Sequence, residues 1–441
     1  MQRDCPVPVW GWADAGEAVT VELAGQELKT TAEADGHWLV RFAPLATGDN
    51  LSLVVRGTNT ITLTDLLLGD VWVCSGQSNM TMRVKDAAHA EEEIAAAVFP
   101  EMRIATVANV SKLREESDAS MTAWTPVTPS TIASFSATAY YFGRELHKEL
   151  KVPIGLIHTS WGGASCAAWV SESALKSYAE FRPVLEQAKD EKVPPQQKAC
   201  HLYNGMLHPL MPLAIRGVIW YQGEADASHA SEYEKMFPVL IQNWREAWGQ
   251  GDFPFYFVQL ANFKARAETP GESDWAELRE AQDRTLALRR TGQAVSIDIG
   301  EANDIHPKNK QEVGRRLALL ALAEEYGRDV VASGPRFHSL AVRDSEVTVT
   351  FDEVADGLKV QSADETCELS GFALAGADRR FYWAKASLAS SNTIVLSAPE
   401  VECPVAVRYN WSDNPGGNLY NSAGLPAVPF RSDRWPRINE R

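Results

Sequence analysis

Gly69-Asp-Val-Trp-Val-Cys-Ser-Gly-Gln-Ser-Asn-Met80 begins as an apolar run and closes in small and polar residues. A short apolar run bounded by turn residues reads as a fully buried strand. A serine set just past its end, Ser78, stands above the sheet edge, where open α/β sheets bind their ligands. A helix opening there would add backbone N–H donors and a favourable dipole for a developing oxyanion. The competing account is a turn in which Gly76, Ser78 and Asn79 merely cap a helix. Met80 stands where a G-x-S-x-G elbow needs its second glycine, which disfavours an ordinary α/β-hydrolase.

Outward from this segment, apolar runs alternate with helical stretches, the signature of a parallel sheet covered by helices. Buried strands are expected at 66–74, 103–107, 154–159, 217–221, 255–260 and 294–299. Helices fit at 87–98, 139–150, 171–189, 231–248, 275–288 and 310–326. Alternating β patterns fill the two ends, at 19–23, 37–42, 51–55 and 60–64, and again at 346–351, 357–361, 393–396 and 405–409. The reading is therefore an α/β domain at 66–330 between β regions at 1–65 and 335–441, which either complete one sandwich or form two small ones. The Pro-Pro at 194 and 195 marks a surface loop.

Three more strand ends carry chemistry. In Ile154-Gly-Leu-Ile-His-Thr-Ser-Trp-Gly-Gly-Ala-Ser165, paired glycines let the backbone approach a ligand, so Gly163 or Gly162 is a candidate oxyanion donor. Ser165 is a reserve nucleophile. In Val218-Ile-Trp-Tyr-Gln-Gly-Glu-Ala-Asp226, Gln222 offers an amide donor, while Glu224 and Asp226 are either acid partners or solvated loop residues. Glycosidase chemistry needs two carboxylates across one sugar bond, and no second equally placed acid is found. In Asn303-Asp-Ile-His-Pro307, Pro307 pushes His306 towards extended backbone, where Asp304 two residues earlier faces the same way. A carboxylate beside an imidazole fixes its tautomer and supports the imidazolium that forms when a serine proton is taken. Three carboxylates compete for that role: Asp304, Asp298 and Glu224, with Asp304 nearest to His306 in sequence.

Composition excludes other classes. With 42 Lys and Arg against 58 Asp and Glu in 441 residues, the formal charge is −16, and no basic cluster suits nucleic acid. No run of about 18 apolar residues offers a membrane span. Six cysteines show no CxxC and no ligand spacing, so no zinc site is expected and the thiols read as reduced; only Cys367 and Cys403 are placed to pair. The start, Met-Gln-Arg-Asp-Cys-Pro, lacks a signal peptide's apolar core. Fourteen Trp leave open a glycan-binding protein without catalysis, although aromatics are more often core.

Taken together, Gly76-Gln-Ser-Asn-Met80, Ser160-Trp-Gly-Gly163, Trp220-Tyr-Gln-Gly-Glu224 and Asp304-Ile-His-Pro307 resemble the SGNH/GDSL hydrolases, and specifically the sialate O-acetylesterase family of carbohydrate esterases. Leu202-Tyr-Asn-Gly-Met206, Ala406-Val-Arg-Tyr-Asn-Trp411 and Asn418-Leu-Tyr-Asn421 resemble family segments too, so the similarity spans nearly the whole chain. Many SGNH enzymes carry Asn in the third block and Asp three residues before His; here Gln222 and Asn303 stand there, and the acid role passes to Asp304.

The resemblance implies a flavodoxin-like three-layer α/β sandwich flanked by jelly-roll-like β regions. It also implies removal of acetyl groups from carbohydrate hydroxyls, on sialic acid or on plant-wall polysaccharides such as xylan or xyloglucan, without metal or cofactor. In that scheme Ser78 is the nucleophile, His306 the base and Asp304 its partner. The N–H groups of Ser78 and Gly163 and the amide of Gln222 hold the oxyanion. Gln77, Asn79, Trp161, Gly162, Glu224 and Asn204 line or support the site. An aryl or lipid esterase is the alternative within the same chemistry. A leader lost from the chain would make its location periplasmic or secreted.

Overall fold

The computed structural model describes residues 1–361 and 368–438. Its centre is a seven-stranded sheet in the order Thr291–Ala294, Phe255–Val258, Gly217–Tyr221, Asp70–Gly76, Ile154–Ser160, Phe99–Thr106 and Thr125–Val127. Six of these strands run parallel and the short edge strand Thr125–Val127 is antiparallel. Leaving aside the edge pair 99–106 and 125–127, the other five follow the order 2-1-3-4-5 of flavodoxin-like sheets. Their topological switch point lies between Asp70–Gly76 and Gly217–Tyr221.

Helices cover both faces. On one side Ala230–Trp248 and Asp274–Arg284 bury Phe237, Leu240, Trp244, Leu278 and Ala281 against Val73, Val218, Trp220 and Phe257. On the other, Ala137–Leu150 and Lys310–Glu324 pack Tyr140, Phe142, Leu317 and Ala321 against Trp72, Leu156, Ile219 and Tyr256. These last two helices touch closely at Gly314, where an added Cβ would lie 2.5 Å from the Cβ of Tyr141. That approach sets the height at which the second helix begins, at Lys310.

Several expected elements are redrawn. The strand read at 66–74 is two: Thr60–Leu68 closes a four-stranded antiparallel sheet of the amino-terminal region, and Asp70–Gly76 enters the central sheet. Gly69 separates them because a Cβ there would sit 2.0 Å from the Pro153 carbonyl oxygen. The strand read at 294–299 ends at Ala294, since Val295 and Ile297 spend their apolar surface on Val428 of the carboxy-terminal region instead. The helix read at 171–189 is broken into Glu172–Lys176, Ala179–Phe181 and Arg182–Gln187, with Pro183 starting the last piece. The helix read at 87–98 shrinks to Ala90–Ala95.

The two β regions have separate apolar clusters and share no strand pairing among the described residues. The amino-terminal region is tied to the core by Asp70, fully buried, which accepts from Arg3, Arg216, Gln2 and the Tyr326 hydroxyl. The carboxy-terminal region docks through its 410–414 segment: Arg279 donates to the carbonyls of Ser412 at 2.7 Å and Asp413 at 2.9 Å. Of the tryptophans, Trp72, Trp169, Trp220 and Trp244 are fully buried core, whereas Trp12, Trp124 and Trp383 are exposed. Cys367, and with it the suggested pairing with Cys403, lies outside the described residues. No described helix is long and apolar enough to cross a membrane.

Candidate active site

Strand register builds the site. Gly76 is level with Ser160 on one side and with Tyr221 on the other, so the loops after three neighbouring strands begin at one height. At Gly76 the backbone takes φ of +137°, and a Cβ would be 2.1 Å from the Tyr221 carbonyl oxygen, so only glycine makes this turn. The Gln77 N–H donates to that same carbonyl at 2.9 Å. Gln77 Oε1 in turn accepts from the N–H groups of Gly223 at 3.4 Å and Ala225 at 3.2 Å, pinning the third loop to the first.

Half-buried Ser78 opens a helix of only four residues, Ser78–Thr81. The dipole expected from a full helix is therefore small here, and the local backbone N–H groups are what the turn offers. Gly162 lies against it: a Cβ on Gly162 would be 3.6 Å from Ser78 Cβ. Gly163 holds φ of +73° and its carbonyl accepts from Gln197. Trp161 donates its N–H to Gly76 O at 3.3 Å. Beneath this loop runs a buried chain, His158 Nε2 to Ser160 Oγ at 2.6 Å and Ser160 Oγ to Thr81 Oγ1 at 2.7 Å, which joins the glycine loop to the serine turn. Burial pushes the His158 imidazole down to about 4, so it is neutral at pH 7. Ser165 donates to the Gln197 carbonyl at 3.3 Å, within the loop wall.

Gln222 is fully buried and its Nε2 donates to the Ala164 carbonyl at 3.1 Å and to Asp226 Oδ2. Because a carboxylate only accepts, this fixes which end of the amide is nitrogen, and both of its hydrogens are engaged. Gln222 Oε1 is left without a partner. Asp226 also accepts from the Cys166 N–H at 2.9 Å, and burial pushes its carboxyl up to about 6. Glu224 is raised as well, by burial first.

Of the three competing acids, Asp304 is the one placed on His306. Its Oδ1 accepts the His306 backbone N–H at 2.9 Å and lies 3.4 Å from His306 Nδ1. Asp298 is taken by Arg316 through two contacts of 2.6 and 2.7 Å and by the Tyr420 hydroxyl at 3.2 Å. Glu224 accepts from Asn79 Nδ2.

Asn79, next to Ser78, also donates to the Ile305 carbonyl at 3.0 Å, and its Oδ1 accepts from Lys310 Nζ at 2.7 Å. Lys310 donates to the Pro307 carbonyl as well, at 2.6 Å. The serine turn is thus laced to both neighbours of His306. Asn204 stands apart from this cluster, its side chain donating to the Lys112 carbonyl at 3.1 Å. Lys310 and His158 escape a sequence reading. The first looks like an ordinary helix-start lysine, and the second bonds Ser160 two residues on and reaches the serine turn only through Thr81.

Comparisons with known proteins place the chain in a family. Residues 68–323 match the family model described as carbohydrate esterase, sialic acid-specific acetylesterase. The chain belongs to the sialate O-acetylesterase family. The Mus musculus sialate O-acetylesterase is 30% identical over 96% of this chain and 90% of its own length. The Homo sapiens protein of that name is 31% identical over 96% of this chain and 88% of its own. A carbohydrate acetylesterase from Xanthomonas citri, solved by crystallography, superposes with a TM-score of 0.91 at 38% identity, covering 99% of this chain and 97% of that one. The likeness to that structure runs over nearly the whole chain, β regions included.

Proposed function

We propose that the protein is a serine-dependent O-acetylesterase acting on acetylated carbohydrate. His306, oriented by Asp304 at Nδ1, takes the proton of Ser78 at its other ring nitrogen while Ser78 Oγ attacks the acetyl carbonyl carbon. The tetrahedral oxyanion is held by the N–H groups of Ser78 and Gly163 and by the Gln222 amide, which gives up its bond to the Ala164 carbonyl to do so. Collapse expels the sugar hydroxyl, which receives the proton from His306. Water, deprotonated by the same imidazole, then attacks the acetyl-serine carbonyl, and acetate leaves as His306 returns the proton to Ser78 Oγ.

The observation that carries this reading is the lacing of Ser78's neighbour Asn79 to Ile305, which brings the histidine segment to the serine turn. The names of the family relatives support an acetylated sugar as substrate. Acetate release from O-acetylated sialic acids, acetylxylan and acetylated xyloglucan tests the reading: a preference for one sugar defines the substrate. Ser78→Ala should abolish release while folding normally. Full activity in Ser78→Ala, with loss in Ser165→Ala, would move the nucleophile to Ser165.

A further inference from the structure

Lys310 is a fully buried cation beside the candidate site. It opens the helix Lys310–Glu324, has no solvent exposure, and lies with Nζ 5.3 Å from the centre of the Tyr221 ring. Burying a lysine without a carboxylate in direct contact opposes its charge, and here burial brings its ammonium down to about 7, with Glu224, Asp304 and Glu301 acting the other way. A lysine without solvent exposure, placed beside the serine and histidine segments, is a departure of the kind that functional sites carry.

Its two hydrogen bonds say what it does. One Nζ hydrogen goes to Asn79 Oδ1, beside Ser78, and another to the Pro307 carbonyl, beside His306. Asn79 then reaches the other neighbour of His306, donating to Ile305 O. The backbone is gripped immediately before and after the imidazole by one amide and one amine, and both are anchored to the residue that follows Ser78. The Asp304–His306 pair is half-exposed and its side chains are 3.4 Å apart, too long for a strong hydrogen bond. Local contacts alone leave the imidazole loosely held, so its placement falls to this inner grip. Either protonation state of the amine carries two hydrogens and makes both bonds.

We propose that Lys310 is a positioning residue for the esterase reaction, setting His306 against Ser78 by bridging Asn79 and Pro307. The proposal rests on the assignment of Ser78 and His306 above. It places on the inside of the fold a group that never touches substrate and yet governs how often base and nucleophile meet.

Lys310→Met tests it, with p-nitrophenyl acetate as substrate and Ser78→Ala and His306→Ala as controls. Lys310→Met should lower kcat about 10- to 100-fold and leave KM within about threefold, in a protein whose circular dichroism matches the unaltered chain. Asn79→Ala should lower kcat similarly, and the double variant should lose far less than the product of the two single losses, because the two residues form one connection. A kcat within twofold of the unaltered enzyme overturns the proposal, and so does a loss confined to KM or a double variant whose losses multiply. Should Lys310→Met fail to fold, Lys310→Leu, which likewise removes both donors, is held to the same criteria. Activity surviving in Ser78→Ala or His306→Ala would strike the assignment of the site instead, whatever Lys310→Met does.

Discussion

Asp304 and Glu224 are both within reach of the histidine segment, but by different routes, and their substitutions separate the roles. Asp304 sits on His306 itself, through the backbone N–H and beside Nδ1. Asp304→Asn should therefore lower kcat by about 10²–10⁴-fold with KM little changed, since the imidazolium it supports exists only as the proton moves. Glu224 is bonded to Asn79 and acts one step further away, so Glu224→Gln, which keeps an acceptor oxygen for Asn79, should cost less than about tenfold. A steady-state comparison decides. If Glu224→Gln were dead and Asp304→Asn active, the acid of the triad would be Glu224. At Gln222 the expected loss for replacement by Ala is about 10²-fold in kcat, that of one oxyanion donor.

At the scale of elements, the site exists because three parallel strands stop at one level and each turns on a glycine or a small residue. Two of the three positive-φ glycines of this rim, Gly76 and Gly163, predict different penalties. Gly76 has no room, its Cβ falling 2.1 Å from a backbone carbonyl, and its φ of +137° is closed to other residues. Gly76→Ala should cost about 4 kcal/mol or more, among the largest single-residue effects. Gly163 has open space, with Gln196 Nε2 at 3.7 Å, and a φ of +73° that alanine tolerates with strain. Gly163→Ala should cost about 1–2 kcal/mol. Urea unfolding of the two variants measures the difference, and equal penalties would mean that the strand-end turns relax more freely than this packing implies.

Across the whole molecule, buried groups of opposite sign set how stability changes in acid. His158 is buried neutral at about 4 against an ordinary 6.5. Between those values the unfolded chain binds the extra proton, so the His158 contribution drops by about 3 kcal/mol as pH falls from 6.5 to 4 and levels off below, while Asp226, held up to about 6, binds its proton first in the folded state and works the other way over the same range. At Asp70 burial works to raise the pKa, but the guanidinium groups of Arg3 and Arg216 outweigh it and the carboxyl ends below its usual value. Its contribution is complete above the unfolded carboxylate pKa and is lost as pH falls below about 4. Asp70→Ala should cost about 3–5 kcal/mol at neutral pH, because it strands two guanidinium groups that join the amino-terminal region to the sheet. Denaturation midpoints between pH 3 and 8, for the unaltered chain and for His158→Asn, test the assignment: the stability of the unaltered chain relative to His158→Asn should fall by about 3 kcal/mol between pH 6.5 and 4, and a difference that stays constant would refute the role of His158.

The sequence by itself settled the alternation of buried strands and covering helices, the β regions at either end, and the four motif-bearing strand ends, because each is written in local periodicity and turn chemistry. It also brought Asp304 to His306, since two residues in an extended segment share a face. Only the tertiary structure decided where continuous apolar runs stop being sheet, as at Gly69 and Val295, where the partner is a segment more than 80 residues away in the chain. It alone removed Asp298 from the competition by giving it to Arg316, and committed the Gln222 amide to Asp226 and Ala164. Lys310 is the clearest case: 231 residues separate it from Asn79, and nothing in its neighbours distinguishes it from a solvated lysine until the register of the sheet brings the two together. Local pattern fixes what a segment is, whereas the partner of a buried polar group is chosen by packing, and the chemistry of this site lies in those partners.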